Sequence, residues 1–178
     1  MSKVSVATFG AGCFWCTEAC FDALKGVVEV VPGFSGGQKE SPSYEDVCHG
    51  NTGHAEVAQI TFDIELISFE ELLKVFWFIH DPTQLDRQGH DIGSHYRSVI
   101  FYHSEAQENS SRALKNELTA QGVWEKPIVT ELSSFDCFYP AENYHKDYLR
   151  LNPENMYCQA VVRPKVDKFK AVFAELLK

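Results

Sequence analysis

Cys13 is the first candidate for chemistry in this sequence, because a cysteine thiolate is a strong nucleophile. Residues 4–9 alternate in hydrophobicity and are rich in β-forming side chains, which predicts a strand, whereas residues 17–24 favour a helix. Cys13 then lies at a strand-to-helix junction, where backbone N–H groups and the positive helix end stabilise a thiolate. We therefore expect its pKa to lie below the value of about 8.5 of a free thiol. Phe14 and Trp15 follow directly and predict a pocket for a small apolar group.

A carboxyl group on an apolar strand face is the second candidate. Residues 54–62 predict a strand in which Ala58, Ile60 and Phe62 share one face, and Glu56 falls on that same face. A carboxyl group that points at a core is costly unless it is partnered or protonated. Glu56 is therefore a candidate acid with a perturbed pKa. Alternatively, it lies just outside the core edge, because it is close to the start of the strand.

A tyrosine hydroxyl is the third candidate. Ser41-Pro42-Ser43 is expected to open a short helical turn that carries Tyr44. The hydroxyl group could point at a ligand, or the ring could be a packing aromatic near a helix cap. The residues alone leave both readings open.

The composition is that of an ordinary globular protein. The chain has 178 residues, of which 44% are hydrophobic and 23% charged, so we expect one catalytic domain over residues 1–178. The net charge of −9 argues against binding to nucleic acid or to an anionic membrane surface. Without a membrane-length apolar run or a signal-peptide core, we expect a cytoplasmic monomer.

The cysteine pattern does not predict a metal site. There are six cysteines, but Cys13-x-x-Cys16 has no second pair, so neither zinc nor another metal or cofactor is expected. Thr17 stands where a c-type haem attachment would need His. We expect Cys20, Cys48 and Cys137 to be buried as small hydrophobic residues.

Strands and helices mix without the regular rhythm of a parallel doubly wound sheet. This pattern predicts an α+β fold, a two-layer sandwich in which helices pack on a mixed β-sheet of about five or six strands. Further strands are predicted at residues 27–31 (ended by Pro32), 96–102 and 128–132. Helices are predicted after Ser68, with Glu71 completing a capping box, after Ser104, with Gln107 in the same role, and over residues 165–178.

Short motifs along almost the whole chain share the order of a known family. Gly12-Cys13-Phe14-Trp15 after a strand resembles the A-type methionine sulfoxide reductases, which reduce the S epimer of methionine sulfoxide, free or in proteins. The other matching segments are Glu18, Ser43-Tyr44-Glu45, Gly53-His54-Ala55-Glu56, Asp81-Pro82-Thr83, Arg87-Gln88-Gly89, Asp91-x-Gly93, Tyr96-Arg97-Ser98 and Ala141-Glu142-x-Tyr144-His145. The resemblance covers residues 10–164 and implies the same α+β fold and activity.

The resemblance also implies roles for the candidate residues. Cys13 would be the nucleophile and Glu56 the acid, with Tyr44 and Tyr96 as hydroxyl donors to the sulfoxide oxygen. Asp91 would line the site, and Phe14 and Trp15 would bind the S-methyl group of the substrate. Glu142 and His145 are expected to hold one end of the site. Thioredoxin would be the reductant, and oxidised proteins and free methionine sulfoxide the substrates.

The resolving cysteine, which converts the sulfenic acid of Cys13 into a disulfide, has two candidates. Cys16 is one helical turn from Cys13, but a disulfide there would distort the turn. Cys158 follows the turn-rich segment 152–155, which we expect to be flexible enough to carry a thiol to the site. Met156-Tyr157-Cys158 also resembles the family segment that carries the resolving cysteine. We favour Cys158, and Cys16 remains the alternative.

One position departs from the family pattern, and two other functions stay open. His95 stands where Gln is usual, and we expect both His90 and His95 to be exposed loop residues. One alternative function is a thioredoxin-like disulfide oxidoreductase that uses Cys13-x-x-Cys16. The other is a non-catalytic module whose Phe14-Trp15 pair docks a peptide.

Overall fold

A mixed six-stranded sheet is the centre of the fold in the computed structural model, which describes residues 3–178. Its strands are β1 (Val4–Ala11), β2 (Val27–Ser35), β3 (Ala55–Asp63), β6 (Ser98–Tyr102), β7 (Glu131–Ser134) and β8 (Tyr139–Pro140), in the spatial order β7-β6-β1-β3-β2-β8. Two very short strands, β4 (Arg87–Gln88) and β5 (Asp91–Ile92), pair separately. Only the β6–β7 pair in the large sheet is parallel. The predicted α+β class and mixed sheet are therefore confirmed.

Six α-helices accompany the strands in the described part of the chain. They are α1 (Phe14–Asp22), α2 (Tyr44–Cys48), α3 (Phe69–Phe78), α4 (Glu105–Ala120), α5 (Tyr148–Leu151) and α6 (Arg163–Val172). One π-helical turn (Cys158–Val162) precedes α6, and 3₁₀ turns lie at Ser94–Tyr96, Asn143–His145 and Ala174–Leu176. Between residues 3 and 178, no helix is long and apolar enough to cross a membrane.

The main core lies between one face of the sheet and helices α1, α3 and α6. Phe9 from β1 packs against Phe21 of α1 and Phe76 of α3, with ring centroids 5.6 and 5.0 Å apart. Phe169 brings α6 to the same cluster. Each such side chain contributes about 1.5–3 kcal/mol when it is fully buried. A smaller cluster around Val57, Val99 and Phe101 covers the opposite face of the sheet.

Local capping signals were predicted with mixed accuracy. Ser68 and Glu71 form the predicted reciprocal capping box: the Ser68 N–H donates to Glu71 Oε2 at 2.8 Å, and the Glu71 N–H donates to Ser68 Oγ at 3.1 Å. Ser104 Oγ also accepts from the Gln107 N–H at 3.2 Å. The Gln107 side chain, however, accepts from the His103 N–H, so this second box is only half formed.

Strand β2 does not end at Pro32, as the sequence suggested. It continues to Ser35, with Pro32 opposite Ala58 of β3. On its other side β2 has only the two-residue strand β8, so the missing N–H of Pro32 is tolerated near an edge. The Pro32 carbonyl still accepts the N–H of Ala141 at 3.0 Å.

Two other predicted elements are shifted or shortened. Strand β7 begins at Glu131 instead of residue 128, because its register is set by parallel pairing with β6. The closing helix begins at Arg163, with Pro164 in its first turn, and ends at Val172. The chain then returns to the end of α1, where the Lys25 N–H donates to the Leu176 carbonyl at 2.8 Å. This pairing prevents the helix from continuing to residue 178.

Candidate active site

Cys13 lies between the end of β1 and the start of α1, as predicted. The preceding Gly12 has a φ of +90°, a conformation that side chains with a Cβ rarely adopt. A Cβ atom there would also lie 2.8 Å from the Gln88 side chain. The tight turn that brings Cys13 to the sheet edge therefore requires glycine.

The Cys13 thiol is more buried than the sequence suggested. Only 7% of the residue is exposed. Burial raises the pKa of the thiol well above its usual value, and a hydrogen bond with Cys16 adds to this effect. The Trp15 N–H and the Tyr157 hydroxyl group oppose the shift but are weaker. The predicted lowering of the pKa is therefore wrong, because loss of hydration outweighs the helix end, and the resting group is a thiol.

The Glu56 carboxyl group points to the same place from β3. Its Oε1 accepts the backbone N–H of Phe14 at 3.2 Å, and its Oε2 is buried without a hydrogen-bond partner. The residue is 1% exposed. Burial raises the pKa of Glu56 well above its usual value, and the nearby Cys13 and Asp91 raise it further. Glu56 can therefore hold a proton at neutral pH, beside the thiol.

Two tyrosines lie close enough to this carboxyl group for its charge to affect their hydroxyl groups. Tyr44 is the first residue of α2, and Tyr96 ends the 3₁₀ turn before β6. Burial raises the pKa of both hydroxyl groups, and the Glu56 charge adds to the effect in each case. Both groups therefore stay protonated and remain able to donate hydrogen bonds.

Tyr44 is fixed from the far end of the chain. Its backbone N–H donates to Glu142 Oε1 at 3.0 Å. Its ring lies 4.5 Å from that of His145 between centroids, and 6.0 Å from that of Phe14. The structural role that we expected for Glu142 and His145 agrees with these contacts.

Asp91 is paired with a residue that sequence reasoning did not single out. Asp91 lies in β5 and accepts a short hydrogen bond from the Tyr157 hydroxyl group. That hydroxyl group also contacts the Cys13 thiol, and its ring meets Trp15 edge-on, with centroids 5.9 Å apart. Tyr157 precedes Cys158 in the motif, but nothing in the sequence indicated that its hydroxyl group reaches Cys13.

An aromatic wall borders the thiol. The Trp15 indole stacks on Tyr148, with centroids 3.8 Å apart and planes 5° from parallel. Its Nε1–H donates to His145 Nδ1 at 3.1 Å. Phe14 is fully buried behind it and packs against Phe34 and His145. These rings form a rigid apolar surface, with the thiol, the carboxylic acid and the two hydroxyl groups close by.

Comparison with known proteins identifies the family. The family model described as peptide methionine sulfoxide reductase matches residues 5–177. This chain belongs to that family. A curated relative, peptide methionine sulfoxide reductase MsrA from Saccharolobus solfataricus, is 50% identical over 175 residues, which are 98% of each chain. The predicted family and the thiol-dependent reduction of methionine sulfoxide are thereby confirmed, and the disulfide oxidoreductase alternative is not favoured.

Solved reductase structures share this fold. Mxr1 from Saccharomyces cerevisiae in reduced form has a TM-score of 0.80 and 36% identity, covering 88% of this chain and 90% of that chain. Mxr1 in complex with Trx2 has a TM-score of 0.56 and 26% identity, covering 82% and 85% of the two chains.

The remaining cysteines of this reductase have different environments. Cys16 and Cys158 are buried near Cys13, and all six thiols are free. Cys158 starts the π-helical turn, and its N–H donates to the Asn155 side chain at 3.1 Å. This hydrogen bond ties Cys158 to the turn-rich segment that precedes it. Cys20 is buried as expected, whereas Cys48 is exposed and Cys137 is half-buried, so the burial prediction is wrong for these two.

His95 is buried, contrary to our expectation of an exposed loop residue, whereas His90 is exposed as expected. The 3₁₀ turn folds the His95 ring inward against that of Tyr96, with centroids 4.0 Å apart. Burial lowers the pKa of His95 and favours its neutral form.

Glu18 lies outside the reactive cluster, on the far side of α1. Its Oε1 accepts the backbone N–H of Asp147 at 2.7 Å, and its Oε2 is buried without a partner. Burial raises the pKa of Glu18 to about 8. Glu18 borders a cleft of about 560 Å³ between α1 and α6 that does not include Cys13. We assign the chemistry to the Cys13 cluster, because no cysteine lines the cleft.

Proposed function

We propose that this chain reduces the S epimer of methionine sulfoxide, free or in proteins, with Cys13 as nucleophile and Glu56 as acid. The observation that carries this assignment is the buried Glu56 carboxyl group, which has one unpartnered oxygen beside the Cys13 thiol. A sulfoxide oxygen can accept the proton that this carboxyl group holds. Tyr44 and Tyr96 add hydrogen bonds to the same oxygen as its negative charge develops. Asp91 orients the Tyr157 hydroxyl group against the thiol.

The first step transfers the oxygen to Cys13. Glu56 gives its proton to the sulfoxide oxygen while the thiol proton of Cys13 restores the acid form of Glu56. The sulfur–oxygen bond of the substrate breaks and one forms on Cys13. The substrate sulfur gains two electrons and Cys13 loses two, so the products are methionine and a cysteine sulfenic acid. The Cys13 thiol, whose pKa is raised in the resting site, thus loses its proton only when a bound sulfoxide takes up the proton of Glu56.

The second step forms a disulfide and releases water. The Cys158 thiol attacks the Cys13 sulfur, its proton leaves with the hydroxyl group, and a sulfur–sulfur bond forms. The position of Cys158 in a π-helical turn supports this role, because such turns are frequent at functional sites. Cys16, whose thiol contacts Cys13, remains the alternative. The complex of Mxr1 with Trx2 supports thioredoxin as the dithiol that supplies two electrons to reopen the bond.

Phe14 and Trp15 supply the apolar surface for the S-methyl group. With the oxygen held by Glu56 and the tyrosines, only one sulfur configuration directs the methyl group at this surface and the sulfur atom at Cys13. The whole chain would act as one catalytic domain and as a monomer. The core supports a single unit, because it contains residues of both β1 and α6.

Epimer-resolved turnover tests the proposal. The reduced protein is incubated with peptides that carry either the S or the R epimer, with dithiothreitol as reductant, and methionine is measured by chromatography. Consumption of the S peptide alone supports the assignment. Equal consumption of both epimers, or of neither, contradicts it.

A further inference from the structure

Three side chains from different elements meet at the rim of the site. Cys48 ends α2, Glu56 lies in β3 and His95 lies in the 3₁₀ turn before β6. One potential ligand atom from each lies within 4.8 Å of the others. Glu56 and His95 are buried, whereas Cys48 is exposed and gives the cluster an entrance from solvent.

Two atoms of this cluster lack hydrogen-bond partners. Glu56 Oε2 and His95 Nδ1 are both buried without a partner, in residues that are 1% and 5% exposed. Buried polar atoms are nearly always paired, because an unpaired atom loses its hydration without gaining a hydrogen bond in return. A bound cation would satisfy the free oxygen of Glu56. This buried, unpartnered carboxylate oxygen is evidence for a ligand that is independent of the spacing.

We propose that Cys48, Glu56 and His95 bind a zinc ion, with a fourth coordination position open toward the substrate pocket. A thiolate, an imidazole and a carboxylate are the donors that zinc accepts, whereas calcium and magnesium take oxygen ligands. Zinc bonds of about 2.0–2.3 Å in tetrahedral geometry separate donor atoms by roughly 3.3–3.6 Å. The three groups thus need to close by at most about 1.5 Å, which a rotation of the exposed Cys48 side chain can supply.

Zinc would compete with the acid of the proposed reaction. The ligands must be deprotonated, so zinc displaces the proton of Glu56 and that of the Cys48 thiol. The metal-bound enzyme lacks the proton that the sulfoxide oxygen needs, and binding strengthens as pH rises. The ion therefore acts as a reversible inhibitor. No local sequence pattern indicates this site, because its ligands are separated along the chain and meet only through the fold.

Direct titration tests the site. The reduced protein is titrated with Zn²⁺, and with Co²⁺ as an absorbing substitute, in the presence of a phosphine reductant, because dithiols chelate zinc. The variants are His95→Gln, which restores the residue usual in the family, and Cys48→Ser. Each should weaken binding more than about 10-fold, because loss of even an outer-shell partner costs about 10–100-fold. The thiolate-to-cobalt absorption band should disappear in Cys48→Ser.

The control is Cys158→Ser, which removes a thiol outside the cluster. It should bind zinc as tightly as the unmodified protein. The proposal is overturned if both His95→Gln and Cys48→Ser bind zinc as tightly as the unmodified protein. It is also overturned if only Cys158→Ser loses zinc affinity, because zinc would then bind at the Cys13 side.

Single-turnover assays with Zn²⁺ separate the metal site from the role of Glu56. The unmodified enzyme should lose activity as zinc binds, while His95→Gln keeps its activity at the same zinc concentration. Binding that depends on His95 without loss of activity would support the metal site and contradict Glu56 as the acid.

Discussion

Glu56 Oε1 accepts the backbone N–H of Phe14, the residue that follows Cys13, at 3.2 Å. The first free N–H of α1 thus fixes the carboxyl group beside the thiol, although the two residues lie 42 positions apart in the chain. The same contact leaves Glu56 Oε2 without a partner. Because the donor is a backbone group, this geometry depends on where the helix begins and not on the side chain at position 14.

We expect Cys13→Ser to abolish single-turnover release of methionine, because a serine hydroxyl group cannot take up the oxygen at neutral pH. Rapid mixing with the S-epimer peptide, without reductant, measures this step. Cys137→Ser is the matched control, since Cys137 is half-buried and only its backbone carbonyl accepts a hydrogen bond, from Ser35. A substantial single-turnover rate in Cys13→Ser would refute the assignment.

We expect Glu56→Gln to slow the reductase step by about 10²–10⁴-fold, the usual loss when an acid catalyst is removed. Glutamine can still donate a hydrogen bond but has no acidic proton. The single-turnover rate should be compared between pH 6 and about pH 9 while Cys13 alkylation confirms an accessible thiol. A variant that matches the unmodified enzyme across this range would exclude Glu56 as the acid.

Tyr44→Phe and Tyr96→Phe should each cost less than Glu56→Gln, because two hydroxyl groups donate to the same oxygen. Removing both should cost more than the sum of the two single losses in free energy, since neither donor can then compensate. Single-turnover rates of both single variants and the double variant complete the cycle. A single variant as inactive as Glu56→Gln would contradict shared donation.

Cys158→Ser should keep one fast turnover but lose cycling driven by thioredoxin. Oxidation with one equivalent of methionine sulfoxide, followed by peptide mapping, should identify a Cys13–Cys158 disulfide in the unmodified protein. Cys16→Ser is the paired variant and should retain cycling. Normal cycling in Cys158→Ser, together with a mapped Cys13–Cys16 bond, would assign the resolving role to Cys16.

Glu18 should make the protein less stable as pH rises. Burial raises the pKa of this carboxyl group to about 8, from 4.5. Between these values the folded protein keeps a proton that the unfolded chain has lost, so the free energy of unfolding falls with rising pH. Glu18→Gln should flatten this dependence in urea unfolding measured from about pH 5 to about pH 9. Glu125→Gln, at an exposed position, is the control and should leave the slope unchanged.

Features that depend on neighbours in the chain could be predicted from the sequence. The strand-to-helix junction at Cys13 and the Ser68–Glu71 capping box both follow from adjacent residues. Strand alternation put Glu56 on the apolar face, although a position just outside the core edge stayed open, and the structure buries it. Local rules thus place Cys13 at the start of a helix and Glu56 on the core-facing row of a strand.

Features that depend on burial by distant elements could not be predicted. The helix end beside Cys13 is visible in the sequence, but the loss of hydration that reverses its pKa shift is not. His95 appeared to be an exposed loop residue because nothing local indicates that its turn folds inward. Tyr157 lies near Cys13 although the two residues are at opposite ends of the chain, a proximity that no local pattern indicates.

The Trp15–Tyr148 stack gives the enzyme an intrinsic fluorescence probe. Indole emission depends on the rings it touches, and Tyr148 begins the segment that leads to Cys158. If Cys158 resolves the sulfenic acid as proposed, we expect the Cys13–Cys158 disulfide to pull on that segment and to change the surroundings of Trp15. Trp77 and Trp124 pack together elsewhere, 6.3 Å apart between ring centroids, and supply a constant background. Stopped-flow fluorescence can therefore follow each redox change in unlabelled protein.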